Sequence, residues 1–252
     1  MNGFKALFYS NLKRRLVDGF ALGYNIVFPI ILILLLGTLC RSSGSGVINA
    51  YSYYVITIIP FCITMGIVTA AYSCKDDAYA NTAARILFAP VTETAIVCSK
   101  VLSVTVAIGG ASMLVYLGAS LLYRIPIRSM VILFLILLSF FTCAIGCLVG
   151  FGMKNFMVVK NIMTVPIGIL ATIGGTFISY SVSNTTLRSL KEFSPFTYLN
   201  RAMFYSIYEQ EQMKIGLVCT GLLLGGILII LLAIRKFRKE EFEDGKLSGY
   251  EK

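Results

Sequence analysis

Long apolar stretches alternate with short polar segments along the whole chain of 252 residues. Six such stretches contain no Asp, Glu, Lys, Arg or His, and they cover residues 20–40, 51–74, 101–123, 129–151, 161–182 and 215–234. A helix needs about 20 apolar residues to cross a hydrocarbon core of about 30 Å. The pattern therefore predicts an all-α integral membrane protein, in which residues 1–252 form one transmembrane domain built as a six-span helical bundle.

The polar segment before the first stretch, residues 1–19, has its own periodicity. Apolar residues recur at helical spacing on one face, at Phe4, Leu7, Phe8, Leu12 and Leu16. Most of the basic residues fall on the other face, at Lys5, Lys13 and Arg14. This pattern predicts an amphipathic helix in the cytoplasmic interface. The alternative is a tail whose basic residues only orient the protein.

The basic residues are distributed unequally between the two sides of the predicted bundle. Of the 22 Lys and Arg residues, 15 fall in residues 1–19, the loop 75–100, the loop between spans four and five and the tail 235–252. The outer loop 183–214 and the other segments on its side carry the rest. This excess places both termini in the cytoplasm. The net charge of +10 then indicates contact with membrane lipid and not with nucleic acid, since no separate basic domain is present.

The absence of ionisable residues from the spans limits the possible chemistry. The chain has no histidine, and an embedded enzyme needs acids, bases or metal ligands at depth. Proton-driven carriers usually keep a titratable group there too. Backbone carbonyls at broken helices can still hold sodium, so ion coupling stays open. No residues suggest a metal site, and we treat the seven cysteines as unpaired thiols.

Span five carries a stripe of small and hydroxyl residues at helical spacing: Thr164, Gly168, Thr172, Gly175, Thr176 and Ser179. Span two offers a weaker version, at Thr57, Thr64 and Thr69. Small residues allow helices to pack closely in a membrane. The same residues could instead line a translocation path and present hydrogen-bonding groups without fixed charge. Both interpretations hold if span five lies at a subunit seam.

The loop 75–100 begins with two acids, continues through a short helix-compatible segment that includes Phe88, and stops at a proline. It resembles the cytoplasmic loop of the ABC type-2 permease family, in which an acidic start leads through a Leu-rich helix to a proline, with a lysine following at the third span. The matching residues are Asp76, Asp77, Arg85, Leu87, Pro90 and Lys100. Many members carry Glu-Gly-Thr after the acidic start, whereas this chain has Ala78-Tyr79-Ala80-Asn81-Thr82.

A second resemblance lies in the outer loop 183–214. The segment 190–198 is similar to the family's proline-centred segment, which precedes short helices dipping into the outer leaflet. In the family, this segment forms an exit lid, which here implies Phe193, Pro195 and Tyr198. Spans two and five would line the path at a dimer centre.

The resemblance implies two permease subunits, in a homo- or heterodimer, above two separate ATPase subunits. The chain lacks a Gly-x-x-x-x-Gly-Lys-[Ser/Thr] phosphate loop, so we expect no cofactor on this chain and place ATP and Mg on the partner. A coupling helix at residues 83–88 would enter a cleft of the ATPase. The residues implied in coupling are Asp76, Asp77, Arg85, Leu87, Phe88 and Pro90.

The function expected from the resemblance is that of the permease subunit of an exporter in a bacterial cell membrane. The uncharged spans suit an amphipathic or hydrophobic cargo better than a small ion. The resemblance implies a drug, an antimicrobial peptide or a lipid-linked glycan, and the short outer loops favour a drug or a peptide. Two alternatives remain: an ion-driven carrier, and a sensor or assembly protein that transports nothing.

Overall fold

A computed structural model describes residues 3–40, 49–153, 156–177, 191–209, 212–237 and 242. These residues are almost entirely helical and include no strand. The expectation of an all-α protein is therefore confirmed over the described part of the chain. Ser179, residues 183–190 of the outer loop and most of the tail 235–252 lie outside the described residues.

The first half of the chain forms short helices and then a long one. Helix α1 spans Gly3–Val17, and α2 (Gly19–Leu22), a π-helical turn (Gly23–Val27) and α3 (Phe28–Leu39) follow one another. Helices α4 and α5 span Ala50–Met65 and Ile67–Ser73, and the break between them lies at Gly66 and not at Pro60, which lies inside α4. The loop helices are α6 (Asp76–Tyr79) and α7 (Ala83–Phe88), and α8 spans Glu93–Tyr123.

The second half contains the remaining helices, α9 (Ser129–Gly152), α10 (Phe156–Ile173), α11 (Pro195–Phe204) and α12 (Gln212–Arg235), with a π-helical turn at Tyr205–Glu209. Local chemistry explains several of the boundaries. The Thr92 hydroxyl accepts from the backbone N–H of Ala95 at 3.3 Å and caps α8. That helix ends where Arg124 adopts a left-handed φ of 56°. Pro195 lies in the first turn of α11, where a missing N–H costs nothing.

Four helical segments of the described chain are long and apolar enough to cross a membrane: Ala50–Tyr79, Glu93–Tyr123, Ser129–Gly152 and Gln212–Arg235. Two shorter apolar helices, Gly23–Leu39 and Asn161–Ile173, fall at the predicted spans one and five. The protein is thus a helical membrane bundle, while the number of six spans stays a prediction.

One predicted boundary differs from the structure. The prediction that span five runs as one helix to residue 182 is wrong, because α10 ends at Ile173 and the chain turns at Gly174, with Gly175 at a φ of 78°. Gly175 and Thr176 therefore do not continue the helical stripe. Lys100 lies inside α8, which begins at Glu93, and the apolar stretch predicted for the third span follows Lys100 directly.

The bundle has two ends, which we call the loop end, containing α6 and α7, and the far end, containing α11. Nearly every residue of α4 is buried, so this helix occupies the centre. One apolar cluster surrounds α4 and extends to α11 at the far end. A second joins α7, α8, α9 and α12 at the loop end. Leucines exposed along α12, such as Leu217, Leu224 and Leu228, face outward, as expected for contact with lipid.

Glycines on α9 allow α5 to approach it closely. A Cβ built on Gly146 would lie 2.5 Å from Ala70 Cβ and 2.8 Å from Ile67 O, and one on Gly150 would lie 2.8 Å from Ala71 O. Both positions face backbone atoms, which cannot move aside as a flexible side chain can. The contact between α5 and α9 is therefore one of backbone against backbone, as small residues permit in membranes.

We predict that Gly146→Ala destabilises the bundle by about 1–3 kcal/mol, because the added methyl group overpacks this contact. Gly110→Ala on α8 is the matched control, since its Cβ would meet nothing within 4 Å. The measurement is the thermal unfolding midpoint of the purified protein in detergent. Equal midpoints for the two variants would contradict the close contact.

Candidate functional site

The two acids that open the loop point into the protein. The side chain of Asp77 is 6% exposed, and its Oδ2 accepts from Lys100 Nζ on α8 at 2.9 Å. Its Oδ1 accepts from Arg14 on α1. Lys100 is itself buried and also donates to Asn11 Oδ1 at 2.8 Å. A single carboxylate thus joins α1, α6 and α8.

The neighbouring acid forms a second link to α1. Asp76 accepts from Arg15 Nη2, and the same guanidinium lies 2.9 Å from Asp18 Oδ2. We call Arg14, Arg15, Asp76, Asp77 and Lys100 the ionic cluster. It holds the start of the loop against the N-terminal helix at two adjacent positions.

The ionic cluster keeps Asp77 charged. Burial alone would raise the pKa of this carboxyl, but the Lys100 ammonium and the Arg14 guanidinium outweigh burial and hold the pKa below its usual value. Asp77 is therefore ionised at neutral pH. A buried lysine without a charged partner costs several kcal/mol, so Asp77 also compensates the charge of Lys100.

These contacts show where residues named from the sequence lie. Arg14, predicted on the polar face of α1, contacts Asp77 through its guanidinium, so this polar residue joins α1 to the loop. Asp76 and Asp77, which the family resemblance groups with the coupling residues, hold the loop in place and do not present a free acidic surface. The two adjacent arginines and two adjacent acids in the sequence were the signal that could have indicated this pairing.

Helix α7 divides the remaining coupling residues into two sets. Ala83 is buried, and Ile86 and Leu87 pack against the loop-end core. Arg85, Phe88 and Pro90 are exposed, and Phe88 is 90% exposed. The exposed side of α7 thus carries a large apolar side chain, while Leu87 lies on the side that packs into the bundle.

At the far end, the turn after α10 is tied to α4 and α11 through its carbonyls. Four consecutive carbonyl oxygens, of residues 174–177, each accept from a different side chain: Asn200 Nδ2 at 3.4 Å, Tyr53 OH, Thr57 Oγ1 at 3.0 Å and Tyr54 OH at 3.1 Å. We call these residues the carbonyl turn. Non-helical backbone at membrane depth needs such partners, because lipid offers none.

The predicted path residues fall into two groups. Thr57 and Thr176 are fully buried and meet at the carbonyl turn, which gives them a packing role. The hydroxyls of Thr64, Thr164 and Thr172 donate to carbonyls of their own helices. Path lining by these three residues stays a prediction.

The predicted lid residues lie around the start of α11. Phe193 is 84% exposed, and Pro195 and Tyr198 are also exposed. Ser194 and Phe196 between them are buried, and Ser194 Oγ donates to Leu170 O at 2.6 Å. This segment is therefore attached to the end of α10 by alternate residues. The sequence analysis missed Tyr53, Tyr54, Ser194, Phe196 and Asn200, which only the turn at residues 174–177 brings together.

Apolar helices of spanning length, with a loop held firmly at one end, define a multi-pass membrane protein. A sequence model of the ABC-2 type transporter family matches residues 2–208, and the chain belongs to this family. It is thus a permease component of an ABC transporter, a class that works with an ATPase subunit and is generally not catalytic itself. No curated protein sequence matches the chain.

We predict that Asp77→Asn lowers the free energy of unfolding by about 3 kcal/mol, because it leaves Lys100 buried without a charged partner. Asp18→Asn is the control, since Asp18 is more exposed and its ion pair contributes less than about 1 kcal/mol. The double variant Asp77→Asn, Lys100→Met should recover part of the loss, because the two groups are coupled. Thermal unfolding in detergent measures all three, and equal losses for the two single variants would refute the role of Asp77.

For the carbonyl turn, we predict that Thr57→Val costs about 1 kcal/mol, since the Thr176 carbonyl loses its donor. Thr64→Val removes a hydroxyl that bonds only to Pro60 O in its own helix, at 2.8 Å, and should cost less. The same unfolding measurement compares the two. A larger loss for Thr64→Val would show that the link to the carbonyl turn contributes little.

Proposed function

We propose that this chain is the permease subunit of an exporter in a bacterial cell membrane, with both termini in the cytoplasm. A separate ATPase subunit docks on the exposed side of α7, formed by Arg85, Phe88 and Pro90. The observation that carries this proposal is the exposure of Phe88 on a helix whose other side packs into the bundle. An exposed aromatic residue on a firmly held support is typical of a binding hot spot.

Docking on α7 would also move other helices, because the loop that carries α7 is attached to them. The loop that carries α7 is attached through Asp76 and Asp77 to α1, and through Asp77 to α8. A displacement of α7 by the ATPase is therefore passed to these helices. Transport needs two bundle arrangements of similar energy, and nucleotide binding would bias one of them through this link.

A second permease subunit is expected against α10. This helix exposes Ile162, Val165 and Ile169 at spacings that place them on one face. The same helix carries Thr164 and Thr172, so a seam here would place these residues near a path between the two subunits. The support is the apolar face, which the rest of the described chain leaves uncovered.

The cargo we infer is an amphipathic or hydrophobic compound, such as a drug or an antimicrobial peptide. The predicted spans contain no charged residue that would select an ion. An apolar groove of about 220 Å³ also lies between α3 and α8, lined by residues such as Ile33, Leu34 and Val115. Such a groove suits an apolar group better than a hydrated one.

We predict that Phe88→Asp reduces co-purification of the ATPase subunit about tenfold or more, because docking would bury a charge in place of an aromatic anchor. Phe193→Asp is the matched control, since it makes the same change at an equally exposed site at the far end. The measurement is the amount of ATPase recovered with the tagged permease in mild detergent, with the ATP hydrolysis rate of the complex.

Both variants should keep the unfolding midpoint of the wild type, because neither side chain is packed in the core. Undiminished recovery of the ATPase with Phe88→Asp would remove α7 as the docking site. Finding no ATP-binding subunit with the wild type would instead favour a carrier or a sensor.

A further inference from the structure

A cavity of about 460 Å³ separates α1 from the segment that follows α6. One wall is formed by α1, with Ala6, Leu7 and Ser10. The opposite wall contains Ile86 and Val91. Both walls thus carry apolar side chains, although the cavity lies beside the ionic cluster and also has polar residues in its lining.

The charges that line this cavity do not balance. Arg14, Arg85 and Asp77 contribute to it, and Asp77 is already shared by Lys100 and Arg14. A guanidinium has five N–H donors, and Arg14 Nη1 alone contacts Asp77. Within the described part of the chain, no Asp or Glu lies within ion-pair distance of Arg85. The cavity therefore offers two arginines to an anion.

The depth of the cavity matches the headgroup layer of a membrane. It reaches Asp77, which contacts Lys100, and extends to Val91, just before α8 begins at Glu93. Lys100 and Glu93 are separated by about 10 Å along a helix that rises 1.5 Å per residue. The apolar part of α8 starts directly after Lys100. The cavity thus lies within about 10 Å of the start of the apolar stretch, on the side where phospholipid headgroups are expected.

We propose that this cavity binds the headgroup of an anionic phospholipid from the adjacent leaflet. The guanidinium groups of Arg85 and Arg14 donate to its phosphate, since the planar arginine fork matches phosphate oxygens. The apolar walls contact the glycerol backbone and the first methylene groups. A choline headgroup is disfavoured because its cation would face two arginines. The site shares Arg85 and Pro90 with the surface proposed for the ATPase, but lipid binding does not depend on the transport proposal, because it is measured without the ATPase.

The test uses the full chain, purified in detergent in about 1 M NaCl, with phosphatidylglycerol added in increasing amounts. The midpoint of thermal unfolding is followed, because a ligand that binds the folded state raises it. We expect phosphatidylglycerol to raise the midpoint and phosphatidylcholine to leave it nearly unchanged. Arg85→Gln should raise the half-maximal amount of phosphatidylglycerol about tenfold, and Arg85→Lys should fall between.

Lys13→Gln is the matched control. Lys13 is an exposed cation on α1 that does not line the cavity. At 1 M salt the Debye length is about 3 Å, so a diffuse attraction through Lys13 is screened and the variant should respond as the wild type does. Unliganded midpoints should agree for all variants, since Arg85 is exposed and unpaired among the described residues.

Three results would overturn the proposal. Equal stabilisation by phosphatidylcholine would show that the anionic headgroup is not recognised. Saturation of the effect by glycerol 3-phosphate alone would identify a soluble phosphate as the ligand. A wild-type lipid response in Arg85→Gln, together with weaker recovery of the ATPase, would assign the cavity to the protein partner. Because the lipid titration contains no ATPase, its outcome is separate from that of the docking experiment.

Discussion

The structure at the loop end depends on one buried ion pair, between Asp77 and Lys100. The lysine lies on α8 where its apolar stretch begins, and a lone ammonium at that depth would be strongly unfavourable. Asp77 satisfies it and reaches Arg14 with its other oxygen. The position of α6 is therefore fixed, and the direction in which α7 leaves the bundle follows from it. The exposed side of α7 therefore depends on the buried ion pair between Asp77 and Lys100.

At the far end, hydrogen bonds hold neighbouring helices together, as the ionic cluster does at the loop end. The carbonyl turn follows the end of α10, and its four carbonyls all accept from side chains of α4 and α11. Non-helical backbone in a membrane is usually stable only where protein replaces the missing backbone partners. Helix α4 supplies three of these donors while its other faces are packed, which explains why it is the most completely buried helix.

Periodicity and composition predicted much of this architecture and failed where partners distant in sequence decide the outcome. The apolar stretches predicted the long helices because burial in lipid requires continuous backbone bonding. The end of α10 at Ile173 was missed, since the apolar composition continues beyond it and only Gly174 and Gly175 indicate a turn. The sequence analysis placed Phe88 and Leu87 together among the coupling residues, although Phe88 is exposed and Leu87 packs into the bundle. The spacing of residues in a helix of six residues does not indicate which face packs. The inward direction of Arg14 depends on Asp77, 63 residues away.

The ionic cluster also has a consequence for the order in which the protein is made. The arginines of α1 leave the ribosome first, the acids after α5 follow, and Lys100 leaves last. Before Lys100 is synthesised, Asp77 can pair only with Arg14, and the arginines and acids have to lie on the same side of the membrane. Completion of the cluster therefore coincides with the entry of α8 into the bilayer. A chain in which only one of its first two membrane segments had inserted would place the arginines and the acids on opposite sides of the bilayer and would be unable to close it.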